Sequence, residues 1–319
     1  MPTTSRQIDP AGVLLGLIVP VLCAGTVLLL TRSWLPRLPE QVATHWSGTT
    51  PDSFGSPMSS AWTTALIVLL VGGGCCSIAA LAQAQLMMRR YMLATGLAVT
   101  GTITVLFLAA LGAQLDTTGP EQVSLPGWTA MAGMWVGAAV GWLGGRLLRD
   151  GRERKRASSA PDPALPRGRA ELPIVEQVGV GTGTVVVLSL LIAVPALLVC
   201  AGTKSWWPLG LFVPVALLVL GLLRFTVIVD EAGIRVSNLS ATALEYGLEE
   251  ITGAKVIETQ PFGDWGGWGL RAKGRGRYGV VTRSGPAVVV TMASGQELTV
   301  TTTRAEEIAG ALNTLADRR

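Results

Sequence analysis

The chain has one histidine, His45, and it is surrounded by side chains that could assist catalysis. Ser47, Ser53, Glu40 and Asp52 lie close enough in sequence to build a hydrolytic triad with it. A triad needs a nucleophile, a base and an orienting acid in mutual contact. No nucleophile elbow or HExxH pattern surrounds the histidine, so we favour a structural role in which its ring nitrogens bind the loop backbone. A membrane hydrolase centred on this residue is the third function that we weigh.

Metal and cofactor sites are not expected. A zinc site needs three or four strong ligands, whereas the loops near the histidine hold few acids. The cysteines lie in apolar runs without metal-ligand spacing and are expected to act as inert packing residues. They are Cys23, Cys75, Cys76 and Cys200. We therefore predict a protein that is not an enzyme, with no metal and no cofactor.

A second group of chemically suggestive residues is basic and lies near the C-terminus: Arg271, Lys273, Arg275, Arg277 and Arg283. The glycines among these basic residues spell GxGxxG, which is the pattern of a dinucleotide-binding turn. Such a turn must be followed by a helix, whereas the residues that follow here are strand-like. One interpretation is a mobile loop near anionic lipid, where each cation adds about 1 kcal/mol of attraction. The other is a solvated loop. Residues 224–319 carry eleven basic and eleven acidic residues, so no nucleic-acid partner is expected.

The elements that must position these residues are mostly apolar. With 49% hydrophobic and 14% charged residues, the chain is typical of a polytopic membrane protein. A helix needs about 20 apolar residues to cross a bilayer. Six runs approach or exceed that length, and the fourth and sixth are the shortest. They are Ala11–Leu30, Ala61–Ala82, Met92–Ala113, Thr129–Gly145, Val178–Ala201 and Trp207–Leu223.

The loops between these runs predict the orientation. Residues 146–173 hold eight basic and four acidic residues, so the positive-inside rule places them in the cytoplasm. Counting spans from there places both termini inside and residues 31–60 outside. Prolines at both ends of this outer loop exclude a long helix. The 21 arginines and four lysines indicate a GC-rich bacterial genome, and we expect a bacterial plasma-membrane protein.

The spans themselves contain no ionisable group other than cysteine, which disfavours an ion-coupled transporter. The fourth span carries Gly133, Gly137, Gly141 and Gly145 at four-residue spacing. Such a face lets another helix approach closely. The neighbour is either a helix of the same chain or a second copy in a homodimer, and the sequence leaves both open.

From residue 224 the pattern changes to short alternating segments. Strands are predicted near residues 225–229, 234–238, 254–258, 278–282, 287–292 and 297–301. A capping box at Thr303 and Glu306 then opens a helix whose apolar stripe includes Ile308 and Leu312. We expect a bent sheet of about seven strands closed by this helix. That arrangement, with the segments LEYGLEEITGAKV and SGPAVVV, resembles the bacterial pleckstrin-homology-like domain.

The outer loop also carries a resemblance. Leu38, Pro39, His45, Trp46, Gly48, Pro51 and Asp52 follow the first span and match a pattern LP-x5-H-[WF]…G…PD. This resembles the family catalogued as domain of unknown function 1648, although the segment between the histidine and Asp52 is a residue short. The family includes an immunity protein that protects a sporulating bacterium from its own secreted killing peptide. The resemblance implies a multi-pass bacterial membrane protein with a receptor or protective role, and it supplies no catalytic residues.

The predicted fold class is an α-helical polytopic membrane protein with six transmembrane helices and a small cytoplasmic β-rich domain. Its parts are a four-span region (1–145, with loop 31–60), a flexible basic linker (146–177), a two-span hairpin (178–223) and a pleckstrin-homology-like domain (224–319). We predict sensing or immunity-type binding of an extracellular peptide or protein at the outer loop. The inner domain would bind a cytoplasmic protein partner. The alternative is a transporter or exporter of an apolar or lipid-like substrate.

Overall fold

The computed structural model describes residues 7–47, 50–124, 127–152, 154–239, 241–274 and 276–318, apart from the side chain of Gln122. Two residues named above, Gly48 and Arg275, lie outside the described residues. The chain divides into two units. The first comprises Met1–Arg152 and Pro195–Leu211, and the second comprises Glu153–Val194 and Phe212–Arg319.

The first unit is helical except for one hairpin. Its helices and strands are α1 (Pro10–Arg37), β1 (Val42–Ser47), β2 (Thr50–Gly55), α2 (Pro57–Ala80), α3 (Leu86–Gly112) and α4 (Trp128–Gly145). Ser56 caps α2 by accepting a hydrogen bond from the Ser59 amide at 3.2 Å. Because α1 runs on to residue 37 and α2 starts at residue 57, the segment between them is shorter than the predicted loop 31–60.

Four helices among the described residues are long and apolar enough to cross a membrane: α1, α2, α3 and α5 (Thr182–Thr203). They indicate a membrane protein. The next helix, α6 (Leu209–Leu222), is apolar but has only 14 residues. The expected span at α4 is a helix of 18 residues rich in glycine and tryptophan and is not among the four. The prediction of six spans is therefore confirmed only in part.

A buried ion pair joins the ends of several helices in the first unit. Arg89 has no exposed surface and donates to Asp9 at 2.5 Å, to the Ala79 carbonyl and to the Arg149 carbonyl at 2.8 Å. Burial opposes ionisation of Asp9, but hydrogen bonds from Arg89 and from the Arg149 and Gly12 amides outweigh it, so its pKa lies below the ordinary value. Arg89 is therefore an internal anchor that holds these helix ends together.

The glycine face of α4 packs on α3 of the same chain. Gly133, Gly137, Gly141 and Gly145 are all buried. A Cβ atom at Gly137 would meet the Leu97 carbonyl carbon at 2.7 Å, and one at Gly141 would meet the Ala94 Cα at 2.5 Å. The face is thus covered by α3 of the same chain. Of the two neighbours that the sequence left open, the intramolecular helix is the one observed. A homodimer must use another surface.

The second unit opens with a strand where a flexible linker was predicted. β3 (Ile174–Gly179) pairs antiparallel with β4 (Arg224–Asp230), residue 174 opposite residue 229. β5 (Gly233–Asn238) and β6 (Ala241–Gly247) complete a four-stranded sheet in the order β3-β4-β5-β6. The predicted boundary between linker and fifth span, at residues 177 and 178, is therefore wrong, because both residues belong to a strand.

A second sheet contains five strands in the order β7-β10-β11-β9-β8. The β11–β9 pair is parallel and the other neighbouring pairs are antiparallel. The prediction of one bent sheet with about seven strands in residues 224–319 is wrong, since the described residues of the second unit form nine strands in two sheets, and eight of these strands lie in that region. The strands, with helix α7 between β7 and β8, are β7 (Ile251–Thr259), α7 (Pro261–Trp265), β8 (Gly269–Ala272), β9 (Arg277–Val281), β10 (Gly285–Met292) and β11 (Glu297–Thr301).

The C-terminal helix, α8 (Ala305–Ala316), follows the second sheet as predicted, with Ile308 and Leu312 fully buried. The predicted capping box is wrong. Arg304 occupies the N-cap position without a side-chain cap, and it pairs with Glu307 at 2.6 Å. The N-terminus of α8 thus carries this ion pair in place of the predicted capping hydrogen bonds.

The predicted linker also packs on α8. Arg167 binds Asp317 at 3.1 Å, and Asn313 donates to the Pro166 carbonyl at 2.8 Å. The same Asn313 side chain accepts from the Ala254 amide and donates to its carbonyl, both at 2.8 Å. Part of the segment that was expected to be a flexible connector is thus held to the second unit by side-chain hydrogen bonds.

Candidate functional site

The sequence motif of the outer loop folds into the β1–β2 hairpin. His45 faces Ser53 across the two strands, Trp46 faces Pro51, and the ladder is irregular between His45 and Trp46. Pro51 lacks an N–H, which a two-stranded ribbon tolerates because each strand has a free edge. Leu38 and Pro39 are half-buried in the turn that leads from α1 into the hairpin.

Asp52 lies between the histidine and a serine. Its Oδ1 is 2.6 Å from His45 Nδ1, and its Oδ2 accepts a hydrogen bond from the Ser47 hydroxyl. These bonds, from Ser47 and then from His45, lower the pKa of Asp52 below its ordinary value. The prediction that the imidazole binds backbone groups is wrong, since its partner is a carboxylate.

This order of contacts is not that of a catalytic triad. In a triad the imidazole contacts the hydroxyl and removes its proton, and the carboxylate lies on the far side of the imidazole. Here the carboxylate of Asp52 lies in the middle and binds both His45 and Ser47. The serine hydroxyl is therefore a donor to an acid rather than a nucleophile held by a base. The three side chains brace the end of the hairpin.

Two contacts attach the hairpin to the segment between α3 and α4. Trp46 Nε1 donates to the Val123 carbonyl at 2.8 Å. Arg37, at the end of α1, binds Asp116 through Nε at 3.1 Å, and its own carbonyl accepts from the Asp116 amide at 2.8 Å. Hydrogen bonds from Arg37 lower the pKa of Asp116. Arg37 and Asp116 are 79 positions apart, so no local sequence pattern pairs them.

A buried glutamine joins the base of the hairpin to α3. Gln114 has no exposed surface. Its Oε1 accepts from the Ala43 amide at 2.7 Å, and its Nε2 donates to the carbonyls of Ala43 at 3.2 Å and Ala110 at 3.0 Å. The side-chain amide therefore pairs with β1 as a neighbouring strand would. Sequence reasoning missed this residue; a lone amide at the end of an apolar run is the signal that points to it.

A cavity of about 670 Å³ lies between the hairpin and the helices α2 and α3. Its volume falls in the range of pockets that hold small molecules or peptide side chains. The hairpin forms one wall, hydroxyl residues of α2 form a second, and mainly apolar residues of α3 form a third. The lining consists of residues 42–46 and Gly55; Ser59, Ser60, Thr63 and Thr64; and Thr102, Ile103, Leu106, Phe107, Ala110, Leu111 and Gln114.

The hydroxyl groups in this cavity mostly donate to their own helices. Ser60 donates to the Ser56 carbonyl at 3.0 Å, Thr63 to the Ser59 carbonyl at 3.0 Å, and Thr102 to the Ala98 carbonyl at 2.8 Å. Their oxygen lone pairs and the threonine methyl groups stay available. The cavity thus offers weak acceptors on one side and apolar surface on the other, which suits an amphipathic ligand.

Comparison with family models gave one match in the region of the hairpin. The model for a domain of unknown function, DUF1648, matches residues 21–69. The DUF1648 match covers much of α1, the whole hairpin and the first part of α2, so it includes the Asp52 contacts and two walls of the cavity. Comparisons with curated proteins and with solved structures gave no match.

The predicted basic loop lies partly in two strands. Arg271 lies on β8 and Arg277 on β9, and these strands pair antiparallel. Lys273 lies in the connecting turn with its Nζ 5.4 Å from the centre of the Trp265 ring, and Arg283 lies in the turn after β9. The prediction of one continuous loop is therefore wrong for Arg271 and Arg277, which lie in strands. Among the described residues no group of three or more histidine, cysteine or acidic side chains is arranged to hold a metal ion.

Proposed function

We propose that this protein is a bacterial plasma-membrane receptor or protection factor that binds an amphipathic extracellular peptide in the cavity under the β1–β2 hairpin. In the proposed arrangement six helices cross the bilayer, both termini are cytoplasmic, and the hairpin lies outside. The β-rich region acts as a pleckstrin-homology-like adaptor for a cytoplasmic protein partner. The protein performs no catalysis.

The cavity under the hairpin is the observation that supports this proposal best. It joins the hairpin to two apolar helices, and it combines acceptor oxygens with apolar surface. A peptide that lies at the membrane surface has the same two-sided character. The order of contacts around Asp52 supports a binding role, because within the described part of the hairpin the histidine contacts a carboxylate and not a hydroxyl.

The alternative is a transporter or exporter of an apolar substrate. Transport needs access from both membrane faces. The α3 residues that line the cavity extend from Thr102 to Leu111, near one end of that helix, with Gln114 just beyond it, and those of α2 extend from Ser59 to Thr64. A cavity confined to one end of both helices favours binding over passage.

Photo-crosslinking in living cells tests the proposal. A photoreactive amino acid at Thr44, which lines the cavity, is expected to capture a peptide that one at exposed Glu40 does not. Ala110→Trp fills the cavity and is expected to abolish the adduct, whereas Leu66→Trp, on an exposed face of α2, is expected to retain it. Adducts of equal yield in both tryptophan variants would refute binding in the cavity.

A further inference from the structure

A second cavity, of about 440 Å³, lies within the second unit. Helices α5 and α6 contribute Leu188, Val219 and Leu222, and the segment around α7 contributes Phe262 and Trp268. α5 is one of the four helices long enough to cross a membrane. One wall of this cavity is therefore made of helix surface that is suited to lipid.

The other end of the cavity is cationic. Arg271, on β8, lines it, and its Nε is buried without a hydrogen-bond partner among the described residues. A buried donor without a partner is costly, so an acceptor that fills the cavity would be bound favourably. The glycines of the adjoining turn make room for the guanidinium: Gly267 has a φ of 137°, and a Cβ atom there would stand 2.5 Å from Arg271 Nη2.

The neighbouring charges do not replace this cation or neutralise it. The ammonium group of Lys273 lies over the Trp265 ring. Asp264 accepts hydrogen bonds from the Gln260 amide at 2.7 Å and from Thr259 Oγ1 at 2.9 Å. These two bonds, with the charge of Lys273, lower the pKa of Asp264, so this carboxylate is ionised and already bound. Of the basic side chains described around this cavity, Arg271 is thus the one with a buried nitrogen that a ligand could bind.

Aromatic side chains frame the cavity. Phe262 and Trp268 pack edge to face with ring centres 4.7 Å apart and planes at 80°, and Phe262 is 63% exposed. Tryptophan is enriched where proteins meet lipid headgroups, because its ring is apolar and its N–H is polar. The cavity therefore has apolar helix surface at one end, an aromatic rim, and at the other end a guanidinium whose buried Nε has no partner among the described residues.

We propose that this cavity binds one anionic phospholipid, whose phosphate accepts hydrogen bonds from Arg271 and whose acyl chains lie along Leu188, Val219 and Leu222. A guanidinium binds phosphate with planar, charge-assisted hydrogen bonds. The apolar wall selects a lipid over a free phosphate. This site is separate from the cavity under the hairpin and does not depend on the function proposed for it.

Native mass spectrometry of the full chain in detergent tests the proposal, with phosphatidylglycerol, phosphatidylcholine or inorganic phosphate added. We expect one phosphatidylglycerol to bind per chain in preference to phosphatidylcholine, and Arg271→Ala to weaken that binding by about tenfold or more. Arg271→Lys keeps the charge without the planar group and is expected to bind at an intermediate level. Arg277→Ala, on the neighbouring strand and outside the cavity, is the control and is expected to bind like the unaltered protein.

Leu222→Gln is expected to weaken lipid binding without removing the cation. Thermal unfolding of each variant shows whether it is folded. If Arg271→Ala is unfolded, lipid binding by the Arg271→Lys protein is measured in its place. Equal phosphatidylglycerol binding by Arg271→Ala and the unaltered protein would overturn the proposal. So would displacement of the lipid by millimolar phosphate, because that result would identify a site for phosphate alone.

Discussion

At the scale of single residues, two buried carboxamides perform the same task in different units. Gln114 pairs with the amide and carbonyl of Ala43, and Asn313 pairs with those of Ala254. Each strand contacted in this way, β1 and β7, lies at the edge of its sheet. A buried backbone group must find a partner, and a side-chain amide offers one donor group and one acceptor in the arrangement that an additional strand would supply.

Gln114→Leu is expected to destabilise the first unit. The substitution keeps the volume nearly constant but leaves the amide and carbonyl of Ala43 without their side-chain partner, at a cost of about 1–3 kcal/mol for each buried group. Hydrogen exchange in β1 should become faster, and thermal unfolding should occur at a lower temperature. Gln41→Leu, at an exposed glutamine beside the same strand, is the matched control and should change neither measurement.

Residue chemistry also decides the reading of the hairpin. The residue types around His45 could build a hydrolytic triad, and the order of their contacts adds a structural argument against one to the missing sequence motifs. Asp52, on β2, occupies the central position because His45 and Ser47 both lie on β1 and reach its carboxylate from that strand. Sequence spacing alone cannot distinguish a carboxylate between two partners from an imidazole between two partners.

At the scale of elements, the glycine face of α4 explains how α3 and α4 approach each other. The carbonyl groups of Gly101 and Leu97 on α3 lie where Cβ atoms of Gly133 and Gly137 would be. Helix association in a membrane depends on such close packing, because lipid chains compete equally for apolar side chains. The two helices can therefore pack closely because these positions of α4 carry no side chains.

Gly137→Ala is expected to weaken this helix pair by about 1–3 kcal/mol, since the added methyl group would overlap the Leu97 carbonyl and force the helices apart. Thermal unfolding in detergent measures the loss. Gly25→Ala, in α1, is the matched control. A Cβ atom at Gly25 meets nothing within 4 Å, so this variant should be unchanged or more stable by up to about 1 kcal/mol. Equal destabilisation by both substitutions would contradict the packing argument.

Strand β3 depends on pairing with a distant part of the chain. Its sequence, IVEQVG, follows a segment rich in proline and arginine and precedes a long apolar run, and it forms a strand because β4 is available as a partner. The partner residues lie about fifty positions away, so no local pattern indicates the pairing. Residues 154–194 belong to the β-rich unit and do not form a free connector.

At the scale of the whole molecule, the proposed topology places the hairpin and the β-rich region on opposite sides of the membrane. Cysteine labelling in intact cells tests it, in a protein whose four native cysteines are replaced by alanine. A membrane-impermeant maleimide is expected to label Ser53→Cys, in β2, without permeabilisation, and Glu231→Cys, in the turn before β5, only after it. Labelling of both positions in intact cells would contradict the proposed arrangement.

Much of the secondary structure follows from the sequence alone. Apolar runs long enough to cross a bilayer form helices. Alternating apolar residues such as Phe225, Val227 and Val229 form a strand with one buried face, and the apolar side of α8 packs on a sheet. The hairpin motif was also recognisable from sequence, since its residues match a family model. These properties depend on neighbours within a few residues of each other.

Other properties were decided by the tertiary structure. The partner of the histidine, the anchoring of β1 by Gln114, the neighbour of the glycine face and the pairing of β3 all join residues through contacts whose direction a local pattern does not specify. The same holds for both cavities, which exist only where separate elements meet. The physical reason is that the spacing of apolar residues along a helix or strand determines which of its faces is buried. Which element covers that face is determined by how the elements pack in three dimensions.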